Sequence, residues 1–140
     1  MMAEAIAALF KGSRAWTDCA PIEEEIECLP SGSIVLVGDC PTGTDRIVRE
    51  FVVRSDKLRI ADLLVFPANW DRYGKSAGPR RNAEMVRQLT VYHANGWQVR
   101  AYAYPLGDSR GTQDCVKELQ RAGIPTKILA YTLSGRPSNG

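Results

Sequence analysis

Histidine is nearly absent from this 140-residue chain, which has one copy at position 93, and its four cysteines (Cys19, Cys28, Cys40, Cys115) include no C-x-x-C pair. Structural zinc needs four such ligands at tight spacing, so no metal is expected, and nothing else in the chain asks for a cofactor. The cysteines are too sparse for a disulfide scaffold and read as small core hydrophobes of a reduced, cytoplasmic protein. Charge of one sign is lacking too: 18 Lys and Arg oppose 16 Asp and Glu, a net of +2. That balance argues against duplex nucleic acid or a membrane surface as partner. No apolar run approaches the length of a bilayer span, and Glu4 interrupts an N-terminal stretch with no basic leader region. Neither G-x-G-x-x-G nor G-x-x-x-x-G-K-[ST] occurs, which removes the ordinary dinucleotide fingerprint and the P-loop.

Present instead is an ordinary globular composition, 44% apolar and 24% charged, in a length suited to one domain. Apolar runs alternate with helical periodicities along the chain. Strands are expected at Ala5–Phe10, Ser33–Val37, Ala61–Phe66, Gln98–Tyr104 and Thr126–Ala130. Between them lie helices with inward stripes Ile22/Ile26/Leu29, Ile47/Val48/Phe51/Val52, Met85/Val86/Leu89/Tyr92 and Cys115/Val116/Leu119. Residues 53–60 read equally as helix or loop. Five strands alternating with four helices predict an α/β fold: a single Rossmann-like domain with a five-stranded parallel sheet and helices on both faces. The domain is expected over residues 1–132, with 133–140 as a disordered tail.

In such a sheet, ligands sit at the carboxyl ends of the strands, where helix amides point outward. Four strand-to-helix connections carry glycine, a small hydroxyl residue and a charge. They are 12–18, 38–45, 67–82 and 106–112. The third, Pro67 to Asn82, is the densest, with Trp70, Tyr73, Arg72, Lys75, Arg80 and Arg81 inside sixteen residues. It reads as a loop leading into a helix near Asn82, built to hold something anionic and flat. Taken singly, each Gly-Thr or Gly-Ser is equally a turn with an N-cap. Trp16 and Trp70 read either as packing aromatics or as stacking platforms. Arg72 and Arg80 read as solvated charges, and His93 as structural.

Together these segments resemble the YspA-like branch of the SLOG superfamily, a Rossmann-like group that includes the LOG phosphoribohydrolases and is related to DprA. The matching pieces are Gly12-Ser13-Arg14-Ala15-Trp16-Thr17-Asp18, Gly38 with Thr42-Gly43-Thr44-Asp45-Arg46, Pro67 to Trp70, Tyr73-Gly74-Lys75, Ala77 to Asn82 with Met85, and Gly111-Thr112. The resemblance implies a nucleotide-derived ligand at the strand ends, and commonly a homo-oligomer. It implies phosphate contacts from Gly38, Gly43, Gly111 and Thr112, charge neutralisation by Arg14, Lys75 and Arg81, and base stacking on Trp16, Trp70 or Tyr73. Ribose hydroxyls would fall to Asp39 or Asp45. Gly12, Ser13, Thr42, Gly78, Asn82, Gly107 and Ser109 complete the implied binding set.

The LOG enzymes cleave the N-glycosidic bond of nucleoside monophosphates with an arginine that falls on Arg81 and a glutamate that falls on Cys115. Asp108 and Ser109 stand where that motif has two glycines. Glycosidic cleavage needs a carboxylate at the reacting centre, and Asp114 would point about 100° away along the helix. The expectation is therefore a binder, either a sensor or a phage or mobile-element sponge for a nucleotide signal such as a cyclic ADP-ribose-type messenger. A nucleotide N-glycosidase using Arg81 with Asp39 or Asp45 is the alternative. Single-strand nucleic-acid binding in the manner of DprA is a third and weaker reading.

Overall fold

A computed structural model describes residues 4–55 and 60–129. The strands are β1 (Ile6–Gly12), β2 (Ser33–Gly38), β3 (Ile60–Phe66), β4 (Gln98–Tyr104) and β5 (Thr126–Ile128). They form one all-parallel sheet in the order β3-β2-β1-β4-β5. The helices are α1 (Ala20–Glu27), α2 (Gly43–Arg54), α3 (Trp70–Tyr73), α4 (Ala77–Ala94) and α5 (Arg110–Arg121). The α/β, Rossmann-like architecture expected from the alternation is thus present.

Strand side chains alternate between the two faces of the sheet. On one face, Ala8, Phe10, Val35, Val37, Tyr102 and Tyr104 pack with Ile22 and Ile26 of α1 and Val48, Phe51 and Val52 of α2. On the other, Ala7, Leu9, Ile34, Leu36, Val99 and Ala101 meet Met85, Val86 and Leu89 of α4 and Cys115 and Leu119 of α5. β1 lies in the middle, and its Ala7, Ala8, Leu9 and Phe10 are fully buried. A central parallel strand must be apolar on both faces, and Ile6 to Phe10 is.

Several boundaries differ from the sequence reading. β1 continues through Lys11 and Gly12, because both still pair with β4. β3 is an edge strand with Ala61, Asp62 and Val65 exposed, so its apolar run is only half buried. β5 shortens to three residues, and Ala130 lies outside the described residues, as do 56–59 of the ambiguous segment and the expected tail. The largest change concerns residues 67–82, which are mostly helical.

Asn69 caps α3 by accepting the Arg72 amide at 3.1 Å, a 3-10 turn covers Gly74–Ser76, and α4 already begins at Ala77. Pro79 is the third residue of α4, where its missing N–H costs nothing. The far end of α4 stops as expected at Asn95, followed by Gly96 at φ +92°.

The cysteines also depart from expectation, since only Cys115 is buried. Cys19 and Cys28 are exposed and Cys40 is half-buried. Burial pushes the Cys115 thiol up to about 12, leaving on the order of 10⁻⁴ of it as thiolate at pH 8. Iodoacetamide at pH 8 is therefore expected to alkylate Cys19 and Cys28 within minutes and leave Cys115 untouched until the protein is unfolded, as read by peptide mass mapping. Equal labelling of Cys115 in the native protein would contradict this packing.

Candidate functional site at the strand ends

A polar cleft of about 720 Å³ opens at the carboxyl ends of β1, β2 and β4. Its lining includes Lys11 to Ala15, Asp39 to Pro41, Trp70, Arg81, Leu106 and Asp108 to Thr112. That volume lies in the range of small-molecule sites. All four strand-to-helix connections singled out in the sequence contribute to it.

The β1 connection is tied down from three sides. Ser13 donates its amide to the Tyr104 carbonyl at 2.9 Å, and its own carbonyl accepts the amides of Trp16 at 3.2 Å and Thr44 at 3.1 Å. The Ser13 hydroxyl is used locally, accepting from the Ala15 amide at 3.0 Å. Gly12 is glycine for lack of room: a Cβ there would sit 2.2 Å from Thr44 Oγ1 and 2.8 Å from the Tyr104 carbonyl oxygen. The result is a rigid rim from which Arg14 projects, exposed, at the mouth of the cleft.

Arg81 forms one wall. It is only 6% exposed, and its Nη1 donates to Asp39 Oδ1 at 3.1 Å and to the Phe66 carbonyl at 3.4 Å. Its Nε donates to Asn82 Oδ1 at 3.0 Å. Asn82 passes the connection on, donating from Nδ2 to the Gly111 carbonyl at 3.1 Å. One arginine thereby couples α4, the β2 connection and the start of α5. Asp39 Oδ1 also accepts the Ala68 amide at 3.3 Å. Gly38 is required beneath this network, since a Cβ there would lie 2.5 Å from both Arg81 Nη1 and Asp45 Oδ2.

Not every residue singled out by sequence reaches the cleft. Trp16 is 2% exposed and stands edge-on to Tyr104 at 5.4 Å, so it is a core aromatic. The Tyr73 ring lies outside the lining, with the guanidiniums of Arg80 and Arg72 over it at 4.3 and 5.2 Å. Lys75 and Thr42 are exposed away from the lining. Gly43 packs under Ser13 and Arg14, while Gly78 gives room to the Trp70 ring. Gly107, at φ +61°, makes the turn before α5.

Asp45 is 1% exposed beside the cleft; its Oδ2 accepts the Cys40 amide at 3.2 Å, and its Oδ1 is buried with no partner among the described residues. His93 is exposed at the other end of α4.

Trp70, Gly12, Ser13, Arg14, Asp39, Arg81, Ser109, Gly111 and Thr112 do converge. Ser109 offers no side-chain cap to α5, because its hydroxyl pairs with Thr112 Oγ1 at 2.7 Å. Trp70 is 51% exposed at the cleft. Sequence reading missed Lys11, Cys40 and Arg110. Lys11 follows directly on the strand expected at Ala5–Phe10, and the extension of β1 through Gly12 is what carries it into the cleft.

Four cations line the cleft (Lys11, Arg14, Arg81, Arg110) against two acids (Asp39, Asp108), a local excess of two positive charges. Asp108 and Arg110 face each other at 4.0 Å and are both exposed, so that pair adds little. Such a cleft favours an anion. A larger depression of about 830 Å³ lies beside Trp97, Arg100, Tyr102 and Lys127. Its charged side chains are exposed or half-buried, and Lys127 is already paired with Glu25. Of these two depressions, the strand-end cleft is the one in which buried polar groups of the described residues converge. Among the described residues no cluster of three or more His, Cys, Asp or Glu suits a metal ion, and no helix is long and apolar enough to cross a membrane.

Fold and cleft together define a Rossmann-like α/β domain with a cation-lined cleft at its strand ends. The chain belongs to the family of the Gene 61 protein of Mycobacterium phage D29, to which it is 36% identical over 123 residues, covering 84% of this chain and 90% of the phage protein. No family model matches the chain. Among solved structures it is similar to the C-terminal domain of a hydrogenase from Pyrococcus furiosus, at 11% identity and a TM-score of 0.48, over 89% of this chain and 90% of that one.

Proposed function

We propose that this protein binds a nucleotide-derived small molecule in the strand-end cleft and holds it without cleaving it. The observation that carries the reading is the convergence of Arg81, the uncapped start of α5 and the half-exposed ring of Trp70 on one cleft of nucleotide size. Helix-start amides and guanidinium suit phosphate oxygens, and an exposed indole suits a base. These pieces agree with the resemblance to SLOG domains, whose members take such ligands.

Binding is favoured over hydrolysis by the carboxylates. The position of the hydrolase glutamate is Cys115, a buried thiol. Asp39 is held by Arg81 and the Ala68 amide, and Asp45 lies outside the cleft lining. Asp39 lines the cleft with Oδ1 already accepting from both of those groups. That a relative of this chain is a phage protein suits the role of a sponge that sequesters a nucleotide signal.

Mass spectrometry of small molecules released on heating the purified protein tests this directly, with a nucleotide derivative as the expected result. Incubation with nucleoside monophosphates and NAD-type ligands, followed by chromatography, should return them intact; free base would establish the N-glycosidase instead. Trp70→Ala should weaken nucleotide affinity about tenfold, since stacking on an aromatic contributes about 1–3 kcal/mol per base. Because Trp70 is half exposed, its loss should leave the melting temperature nearly unchanged. A titration with unaltered affinity would remove Trp70 from the site, and tight salt-sensitive binding of oligonucleotides would favour the DprA-like reading.

A further inference from the structure

Arg81 offers the cleft less than it carries. Its Nε is taken by Asn82, and its Nη1 by Asp39 and the Phe66 carbonyl. Nη2 has no hydrogen-bond partner among the described residues. Among those residues the fully buried side-chain atom left without a partner is Asp45 Oδ1, so Nη2 opens to the cleft that Arg81 lines. An arginine holds a phosphate or carboxylate best when two of its nitrogens bond the anion side by side. Both such pairs are half occupied here, Nη1 with Nη2 by Asp39 and Nε with Nη2 by Asn82.

The two occupants are held with different firmness. Asn82 is 1% exposed and is tied to the Gly111 carbonyl as well, so it stays. The Asp39 side chain is 37% exposed, and on leaving Arg81 it passes into water with the Ala68 amide still in reach. A part-solvated ion pair is weak enough to exchange. Its release does not strand a buried cation, which would be costly. Asp45 Oδ2 and Arg81 Nη1 both lie 2.5 Å from the place of a Gly38 Cβ, so the two groups are neighbours. Asp45 is 1% exposed and remains as the counter-charge when Asp39 goes.

We propose that Asp39 is an internal competitor for the ligand: its carboxylate occupies the Arg81 nitrogen that an incoming anionic group needs, and the two exchange on binding. This rests on the nucleotide reading above and deepens it, because it makes the empty cleft self-inhibited. The same Asp39 oxygen holds the Ala68 amide, two residues before Trp70. Exchange at Arg81 therefore also loosens the segment that carries the indole.

Calorimetric titration of wild type, Asp39→Asn and Asp108→Asn with sodium phosphate and with adenosine 5′-monophosphate, at matched ionic strength, tests the exchange. Asparagine keeps the shape of Asp39 and an acceptor for the Ala68 amide while weakening the hold on Arg81. Asp39→Asn should bind both probes about fivefold tighter than wild type, since the competing closed state is removed. Asp108→Asn takes the same charge from the exposed rim, away from Arg81, and should bind within about twofold of wild type. Asp39→Asn should also melt within about 3 °C of wild type, because its position is part-exposed.

Binding by Asp39→Asn that is equal to or weaker than wild type overturns the exchange, and weaker binding makes Asp39 a ligand contact or a positioning residue for Arg81. A gain matched by Asp108→Asn overturns it too, as mere loss of charge. So does a variant that fails to fold, since the pair would then be structural, or the absence of any heat from both probes. The two probes separate this inference from the broader reading. A gain in Asp39→Asn, with the monophosphate bound no tighter than phosphate, keeps the competitor and ends the nucleotide reading. Monophosphate bound tighter than phosphate, but equally by Asp39→Asn and wild type, does the reverse.

Discussion

Gly43→Ala is expected to cost about 3 kcal/mol or more and to lower the melting temperature by on the order of 10 °C. Two effects add at this position. Gly43 has φ +70°, a backbone region that costs a residue with a Cβ about 1–2 kcal/mol. The Cβ would also lie 2.3 Å from the Ser13 carbonyl oxygen and 2.5 Å from the Arg14 backbone. Backbone cannot rotate aside as a side chain can, so either the β1 connection or the start of α2 must move.

That movement would break the Thr44 amide bond to Ser13 and loosen the rim of the cleft. Gly107→Ala is the control, for it has φ +61° but nothing within 4 Å of an added Cβ. It should cost only the backbone share, about 1 kcal/mol. If thermal denaturation finds the two variants equally stable, the close approach at Gly43 is not what requires glycine there.

The second large effect is at Arg81. Truncation to alanine removes three hydrogen bonds, to Asp39, Phe66 and Asn82. Breaking a fully buried pair typically costs about 3–5 kcal/mol, but Asp39 is 37% exposed and stays partly solvated, so about 2 kcal/mol is expected. Retention of the proposed ligand should be abolished.

Arg81→Lys separates the two losses. Lysine keeps the charge beside Asp39 but lacks the fork that reaches Asp39, Phe66 and Asn82 together. It should recover about half of the lost stability and little of the ligand retention, as read by melting temperature and mass spectrometry of released small molecules. A lysine variant that carries the ligand at the wild-type level would reduce Arg81 to a point charge. An alanine variant that does so would remove it from the site.

Much of this was legible in the linear chain. Alternating apolar runs and helical stripes led to the parallel sheet, because burial on both faces of a central strand leaves a continuous apolar run such as Ile6 to Phe10. The rule that ligands gather at strand ends then pointed to four connections, and all four line the cleft. Arg81 was identified from the resemblance that this block carries.

Other features depended on contacts between residues far apart in sequence. Residues 67–82 read as a loop because glycine and proline punctuate them, yet Asn69 caps one helix and the stacked Arg72 and Arg80 settle around Tyr73, so the segment folds into helix. No local pattern distinguishes Trp16 from Trp70: both follow a strand beside small residues. Tyr104, on a strand 88 positions away, packs edge-on against Trp16, whereas Trp70 stays half exposed against Gly78.

Composition, strand spacing and helix periodicity by themselves determined the class of fold and the end of the sheet where a ligand would sit, since both follow from local burial patterns. Tertiary structure alone decided which side chains reach the cleft and which are consumed in holding it. Lys11 shows why: its burial depends on α4 and α5 closing over β1, an event that no stretch of sequence around residue 11 records.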